Sequence, residues 1–135
     1  MRILLDTNVL VSAFAARGLC ADIFELVLLE HELVVGTQVL LEFERALHTK
    51  LKVPAAHARD IVNFVSDEAV EIVRDARAAA ANVSPNDALV LGEAIAGRAA
   101  AIVTGDAVLL KLGVIGALEI VSPRQFWEML RTGAP

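Results

Sequence analysis

The sequence predicts a single three-layer α/β domain, residues 1–135, with a short-stranded, mostly parallel central sheet covered by helices. Three observations carry that expectation. Short, nearly all-apolar runs suited to buried strands alternate with longer segments of helical spacing. The chain has 135 residues, enough for one domain with one sizeable core. Apolar residues make up 56% and charged residues 21%, which excludes disorder and favours a well-filled globule.

The elements follow in order. Residues 2–5 form a buried strand, and residues 7–16 continue apolar at helical spacing until Arg17-Gly18 ends the segment. A helix runs from Leu19 to about Glu30, and residues 32–35 give a second strand closed by Gly36. Thr37 can cap a helix reaching about Lys50, with Val39, Leu40, Phe43 and Leu47 on its apolar face. Pro54 suits the first turn of a helix through Ile61, Val62 and Val65. Residues 69–73 are a third strand, and residues 76–81 a helical turn or connector. Ser84-Pro85-Asn86-Asp87 opens a helix through Ala96. Residues 100–104 form a fourth strand, followed by Gly105-Asp106 and a short helix to Leu112. Residues 118–121 form a fifth strand, and Pro123 starts a final helix carrying Phe126, Trp127 and Leu130.

Composition narrows the function. Tyr is absent and aromatics reach only 4%, which argues against modules that stack bases on exposed aromatic platforms. A net charge of −5 is not that of a broad basic face for nucleic acid, so a nucleic-acid substrate requires a mediating cation or local basic groups. Cys20 is the single cysteine, so no internal disulfide is possible and a reducing, cytoplasmic location is expected. No stretch approaches the ~18 apolar residues of a membrane span. Asp6-Thr7-Asn8 interrupts the N-terminal apolar run too early for a signal peptide.

Chemistry concentrates in four carboxylates. Asp6 and Asp106 each directly follow a strand, Asp87 begins a helix, and Glu42 lies early in the helix after the second strand. In a parallel sheet these positions all arrive at the carboxyl edge, where open α/β folds bind ligands. Singly, each has a plainer explanation. Asp6 and Asp106 fit helix caps, Asp87 fits a capping box with Ser84, and Glu42 fits a first-turn acid favoured by the helix dipole. Those explanations predict no convergence. Two carboxylates ~4 Å apart repel by ~4 kcal/mol at an effective dielectric of ~20, so a converging set calls for a cation. All-oxygen ligation selects Mg²⁺ or Mn²⁺, ions that polarise phosphoryl oxygens, activate water and stabilise a leaving oxygen.

Asp6-Thr7-Asn8-Val9-Leu10, the Glu42 helix, Asp87-Ala88-Leu89-Val90 and Val103-Thr104-Gly105-Asp106 together resemble the PIN domain family. That family comprises small nucleases, among them the VapC-like toxins of toxin–antitoxin pairs. The resemblance runs in order along essentially the whole chain, to the C-terminal Pro-x-x-Phe helix. It implies that Asp6, Glu42, Asp87 and Asp106 hold Mg²⁺ or Mn²⁺ for RNA hydrolysis, with Asn8 and Thr104 orienting the carboxylates through hydrogen bonds. It also implies an antitoxin protein as partner, and the apolar face of residues 54–65 would suit that partner or a homodimer. Glu44 lies about 200° round the helix from Glu42, so one of the two points inward, and Glu42 matches the motif better. Ser84-Pro85-Asn86 stands where some relatives carry further acids, which bears on whether one metal or two is held.

Rival readings are narrower. His31, His48 and His57 lack zinc-site spacing, and no phosphate-binding glycine motif occurs. Arg45, Lys50 and Lys52 form either a solvated helix face or a small basic rim. An aspartyl-phosphate phosphatase would need a second acid two residues after Asp6, where Asn8 stands. The main alternative is a catalytically silent PIN-like module that binds RNA or protein and keeps its acids as caps.

Overall fold

In the computed structural model, which describes residues 1–79 and 82–132, the first strand, β1 (Arg2–Leu5), lies inside the sheet and organises it. β1 is followed by α1 (Thr7–Ala15), α2 (Leu19–Glu30), β2 (Glu32–Gly36), α3 (Thr37–Thr49), α4 (Ala55–Glu68) and β3 (Glu71–Val73). Then come α5 (Pro85–Ala96), β4 (Ala101–Val103), α6 (Ala107–Leu110), β5 (Val114–Ile115), β6 (Leu118–Val121) and α7 (Pro123–Thr132). The strand order is β3-β2-β1-β4-β6-β5, and every pairing is parallel except β5 with β6.

Ile3, Leu4 and Leu5 are all fully buried. Successive strand residues point to opposite faces, so helices must cover the sheet on both sides. Burying each such side chain contributes roughly 1.5–3 kcal/mol. Leu4 pairs with Val34 on one side and Ile102 on the other, which fixes the register at the centre. The chain leaves β1 in both directions, toward β2 and toward β4. The gap between the ends of β1 and β4 is therefore the switch point at which such sheets open a crevice.

Several boundaries differ from expectation. The sheet has a sixth strand, β5, two residues long between Gly113 and Gly116, both at positive φ. A two-residue strand held by such turns has too little pattern to be read from sequence. Residues 76–79 form an irregular connector and no helical turn, and Ala80 and Ala81 fall outside the described residues. The Ala79 N–H bonds to the Ala88 carbonyl at 3.0 Å, which ties this connector to α5. Pro54 occupies the cap position before α4, one residue earlier than expected. Thr37 does not cap α3. It is the first helical residue, and the cap residue Gly36 has no side chain to offer.

In α7, Phe126 is fully buried and anchors the helix to the core, and Trp127 is partly buried. Along α4, Ala58, Val62 and Val65 are buried whereas Phe64 remains 46% exposed. At the amino edge of the sheet, Arg2 donates to the Gly97 carbonyl at 2.8 Å and pairs with Glu71. Among the described residues no helix is long and apolar enough to cross a membrane.

Candidate active site

Asp6 follows β1 directly and is held by the strand ladder itself, since its N–H donates to the Val103 carbonyl at 2.9 Å. Its side chain is 6% exposed and carries three hydrogen bonds. Oδ1 accepts from the Thr7 N–H at 2.8 Å, which caps α1. Oδ2 accepts from the Thr104 hydroxyl at 2.7 Å and from Asn8 Nδ2 at 3.2 Å. Thr104 follows β4 and is fully buried. Its hydroxyl, committed as donor to Asp6, accepts from the Asp106 N–H at 3.0 Å. Asn8 Oδ1 accepts from the Gly105 N–H at 2.8 Å. The ends of β1 and β4 are thus laced together through Asn8 and Thr104, the two residues expected to orient the carboxylates.

Asp106 caps α6 through Oδ1, which accepts from the Val108 N–H at 2.8 Å and the Leu109 N–H at 3.4 Å. Asp87 sits in the first turn of α5, where its N–H donates to the Ser84 hydroxyl at 3.1 Å. The plain helix-capping roles of Asp6 and Asp106, and the Ser84 cap before Asp87, are therefore all real. They coexist with convergence. A cleft of about 360 Å³ is lined by all four acids, Asp6, Glu42, Asp87 and Asp106, together with Thr7, Asn8 and Lys50.

Glu42 and Glu44 separate as their helical spacing requires. Glu42 faces the cleft, with Oε2 accepting from the Thr7 hydroxyl at 3.0 Å and Oε1 from Gln38 Nε2 at 2.8 Å. Glu44 pairs instead with Arg59 of α4 at 3.2 Å.

The electrostatics record the crowding. Burial pushes the Asp6 carboxyl above the ordinary carboxylate range. The Thr104 hydroxyl and the Thr7 N–H pull it back, while Glu42 and Asp87 push it further up. Asp87 is raised first by burial and then by the charges of Asp106 and Glu42, against the Ser84 hydrogen bond. The acids thus feel one another's charge, although their elements are far apart in the chain.

Among the described residues, no group of three or more His, Cys, Asp or Glu side chains is drawn together closely enough to hold a metal ion. A hard cation that keeps several of its waters needs only one or two direct carboxylates, so an open, all-oxygen cleft fits Mg²⁺ or Mn²⁺ better than a cage would. Asp6, Glu42, Asp87 and Asp106 are the carboxylates lining that cleft, from which one or two direct ligands would come.

Sequence reasoning missed Glu93. This α5 side chain is 2% exposed and supplies the cap that Thr37 does not. Its Oε2 accepts from the Gln38 N–H at 2.7 Å and its Oε1 from the Val39 N–H at 3.3 Å. Burial pushes its carboxyl up, the Gln38 and Val39 N–H groups pull it down, and Glu42 adds to the rise. A signal was available: Glu93 is an isolated acid among Val90, Leu91 and Ala94, which are all buried. The pairing of Thr7 with Glu42 had no local signature.

These shifts set a pH dependence. Asp6, Asp87 and Glu93 all have folded-state pKa values above their ordinary ones. Between the two values the folded state binds more protons than the unfolded chain, so their contribution to stability falls as pH rises. In EDTA, these three groups are expected to cost the protein stability as pH rises above the ordinary carboxylate range. Asp6→Asn should flatten that slope, and melts across a pH series in both proteins check it.

The fold and the cleft define a class: a parallel α/β domain with an acidic pocket at its switch point. Residues 2–107 match the PIN domain family, and the chain belongs to that family. Among solved structures, the fold is similar to a chain of VapBC2 from Rickettsia felis bound to a DNA fragment from their promoter. The TM-score is 0.65 at 16% identity, covering 90% of this chain and 98% of that one. At that identity the likeness is one of fold. No curated protein matches the chain in sequence.

Proposed function

We propose that this chain is a Mg²⁺- or Mn²⁺-dependent endoribonuclease, acting as a single nuclease domain over residues 1–135 and as the toxin of a cytoplasmic toxin–antitoxin pair. The observation that carries the proposal is the meeting of Asp6, Glu42, Asp87 and Asp106 in one cleft with their charges uncompensated by any ion pair among the described residues.

Asp6, Glu42, Asp87 and Asp106 would hold the cation, which supplies Lewis acidity and an activated water for phosphodiester hydrolysis. The rest is the work of this chain's own groups. Thr104 and Asn8 fix the Asp6 carboxylate by donating to Oδ2, so one oxygen pair is set before substrate arrives. Thr7 and Gln38 restrain Glu42 in the same way. The main-chain donors that cap α1 and α6 fix one oxygen each of Asp6 and Asp106 in place.

An antitoxin partner is supported by a second feature. An apolar groove of about 370 Å³ lies between α3 and α4, lined by Leu41, Glu44, Arg45, His48, Ala55 and Ala58. Leu41 is 45% exposed beside it. The same surface would serve a homodimer, and the mass of the isolated protein in solution separates the two.

The test is cleavage of a mixed single-stranded and structured RNA with Mn²⁺ or with EDTA. The proposal expects cleavage in Mn²⁺ that EDTA abolishes. Absence of metal-stimulated cleavage would favour the silent binding module, in which the helix caps of Asp6 and Asp106 are their whole role.

A further inference from the structure

We propose that Lys50 is a positioning residue that grips the RNA backbone next to the phosphate being cut; this rests on the nuclease reading above. Sequence alone offered Arg45, Lys50 and Lys52 as a possible basic rim, and the structure separates them. Arg45 lines the apolar groove toward α4, whereas Lys50 lines the acidic cleft. Among the described residues Lys50 is the one cation lining that cleft, and it makes no ion pair with any of the four acids.

Its placement is fixed by the backbone. The Lys50 N–H donates to the Ala46 carbonyl at 2.8 Å as α3 ends. The following turn is pinned by the Val53 N–H on the Leu47 carbonyl at 3.0 Å and by His48 Nδ1 at 3.0 Å from the Val53 carbonyl. Lys50 lies eight residues beyond Glu42 on one helix, a rise of about 12 Å. With its backbone so offset, Lys50 reaches the cleft from one end and forms no ion pair with the carboxylates. It is well placed to meet a second anion whose neighbour lies among them, and a single strand presents its phosphates in that serial way. Flexible and strongly hydrated, a lysine binds phosphate as a point charge. The plainer account is a lysine that merely favours the carbonyl end of α3.

The two accounts diverge in salt dependence. Binding of a short labelled single-stranded RNA is measured over a salt series for Asp6→Asn and for Asp6→Asn with Lys50→Gln. Losing one phosphate contact should make the slope of log K against log salt shallower by about 0.7 and weaken low-salt binding roughly fivefold, while Lys50→Arg keeps both. In the otherwise native protein, Lys50→Gln should raise KM by a similar factor and leave kcat in place. Unchanged slope and KM would overturn the proposal. So would a fall in kcat at constant KM with a shifted Mn²⁺ midpoint, which would make Lys50 a counter-charge for the acids. If Asp6→Asn cleaves RNA undiminished, the nuclease reading fails, and the salt slope still judges Lys50.

Discussion

Asp6→Asn is expected to lower kcat for Mn²⁺-dependent RNA cleavage by about 10³-fold, or roughly 4 kcal/mol of barrier, while leaving the fold intact. The two halves of that expectation have separate physical origins. The carboxylate is the buried end of the network formed by Thr7, Asn8 and Thr104, and its negative charge is what a cation would bind. An amide keeps one acceptor in that network and gives up the charge. Because burial already disfavours the ionised form of Asp6, the neutral amide relieves that cost. Against that gain, the amide NH2 replaces an oxygen that accepts from donors, so the net change in stability should stay within about 2 kcal/mol and the protein remains folded in EDTA. Steady-state kinetics and a melt on the same preparation check both halves. Loss of activity together with loss of fold would instead assign Asp6 to structure alone.

Glu93→Ala is expected to destabilise the protein by about 3 kcal/mol, the second large effect. Two buried N–H groups, those of Gln38 and Val39, would lose their acceptor at the start of α3. A cavity would also open against Gly36. The same packing predicts an unusual partner mutation. Gly36 has φ −121, which any residue adopts, yet an added Cβ would fall 1.9 Å from the Glu93 carboxyl carbon. Gly36→Ala alone must therefore evict the carboxylate and cost a similar amount. In Gly36→Ala with Glu93→Ala the new methyl enters the space the carboxylate left. The double variant should be less destabilised than the sum of the singles, by roughly 1 kcal/mol or more, in urea titrations of all four proteins. Activity should follow stability, because Gln38 bridges the capped turn to Glu42. A drop of ~10–100-fold is expected where the protein remains folded.

Much of this architecture was legible in the residues. Ile3-Leu4-Leu5 ending in Asp6 reads as a buried strand running into an acid, and the structure has that strand inside the sheet with Asp6 at its carboxyl end. Alternating strands and helices were enough to bring Glu42, Asp87 and Asp106 to the same edge. That Glu42 and Glu44 face different sides of α3 follows from helical geometry. The choice of Glu42 as the inward acid came from the family resemblance, and the Glu44 contact with Arg59 depends on how α4 packs. What stayed hidden depended on contacts between distant segments. The cap of α3 comes from Glu93, 55 residues from Gln38, and a local pattern credited it to Thr37. β5 exists because two glycine turns fold Val114 and Ile115 back onto β6, and two residues carry no periodicity. Lys50 was ambiguous for the same reason, since its distance from Asp6 depends on how α3 packs on α1.

The central claim is that four carboxylates from four elements form one divalent-cation site. Mn²⁺ titration followed by the electron-spin signal of the free ion tests it most directly, on the native protein, Asp6→Asn and Asp106→Asn. The account predicts saturable Mn²⁺ uptake by the native protein that is strongly weakened in both variants. Uptake that is absent at millimolar Mn²⁺, or equal in all three proteins, would contradict it.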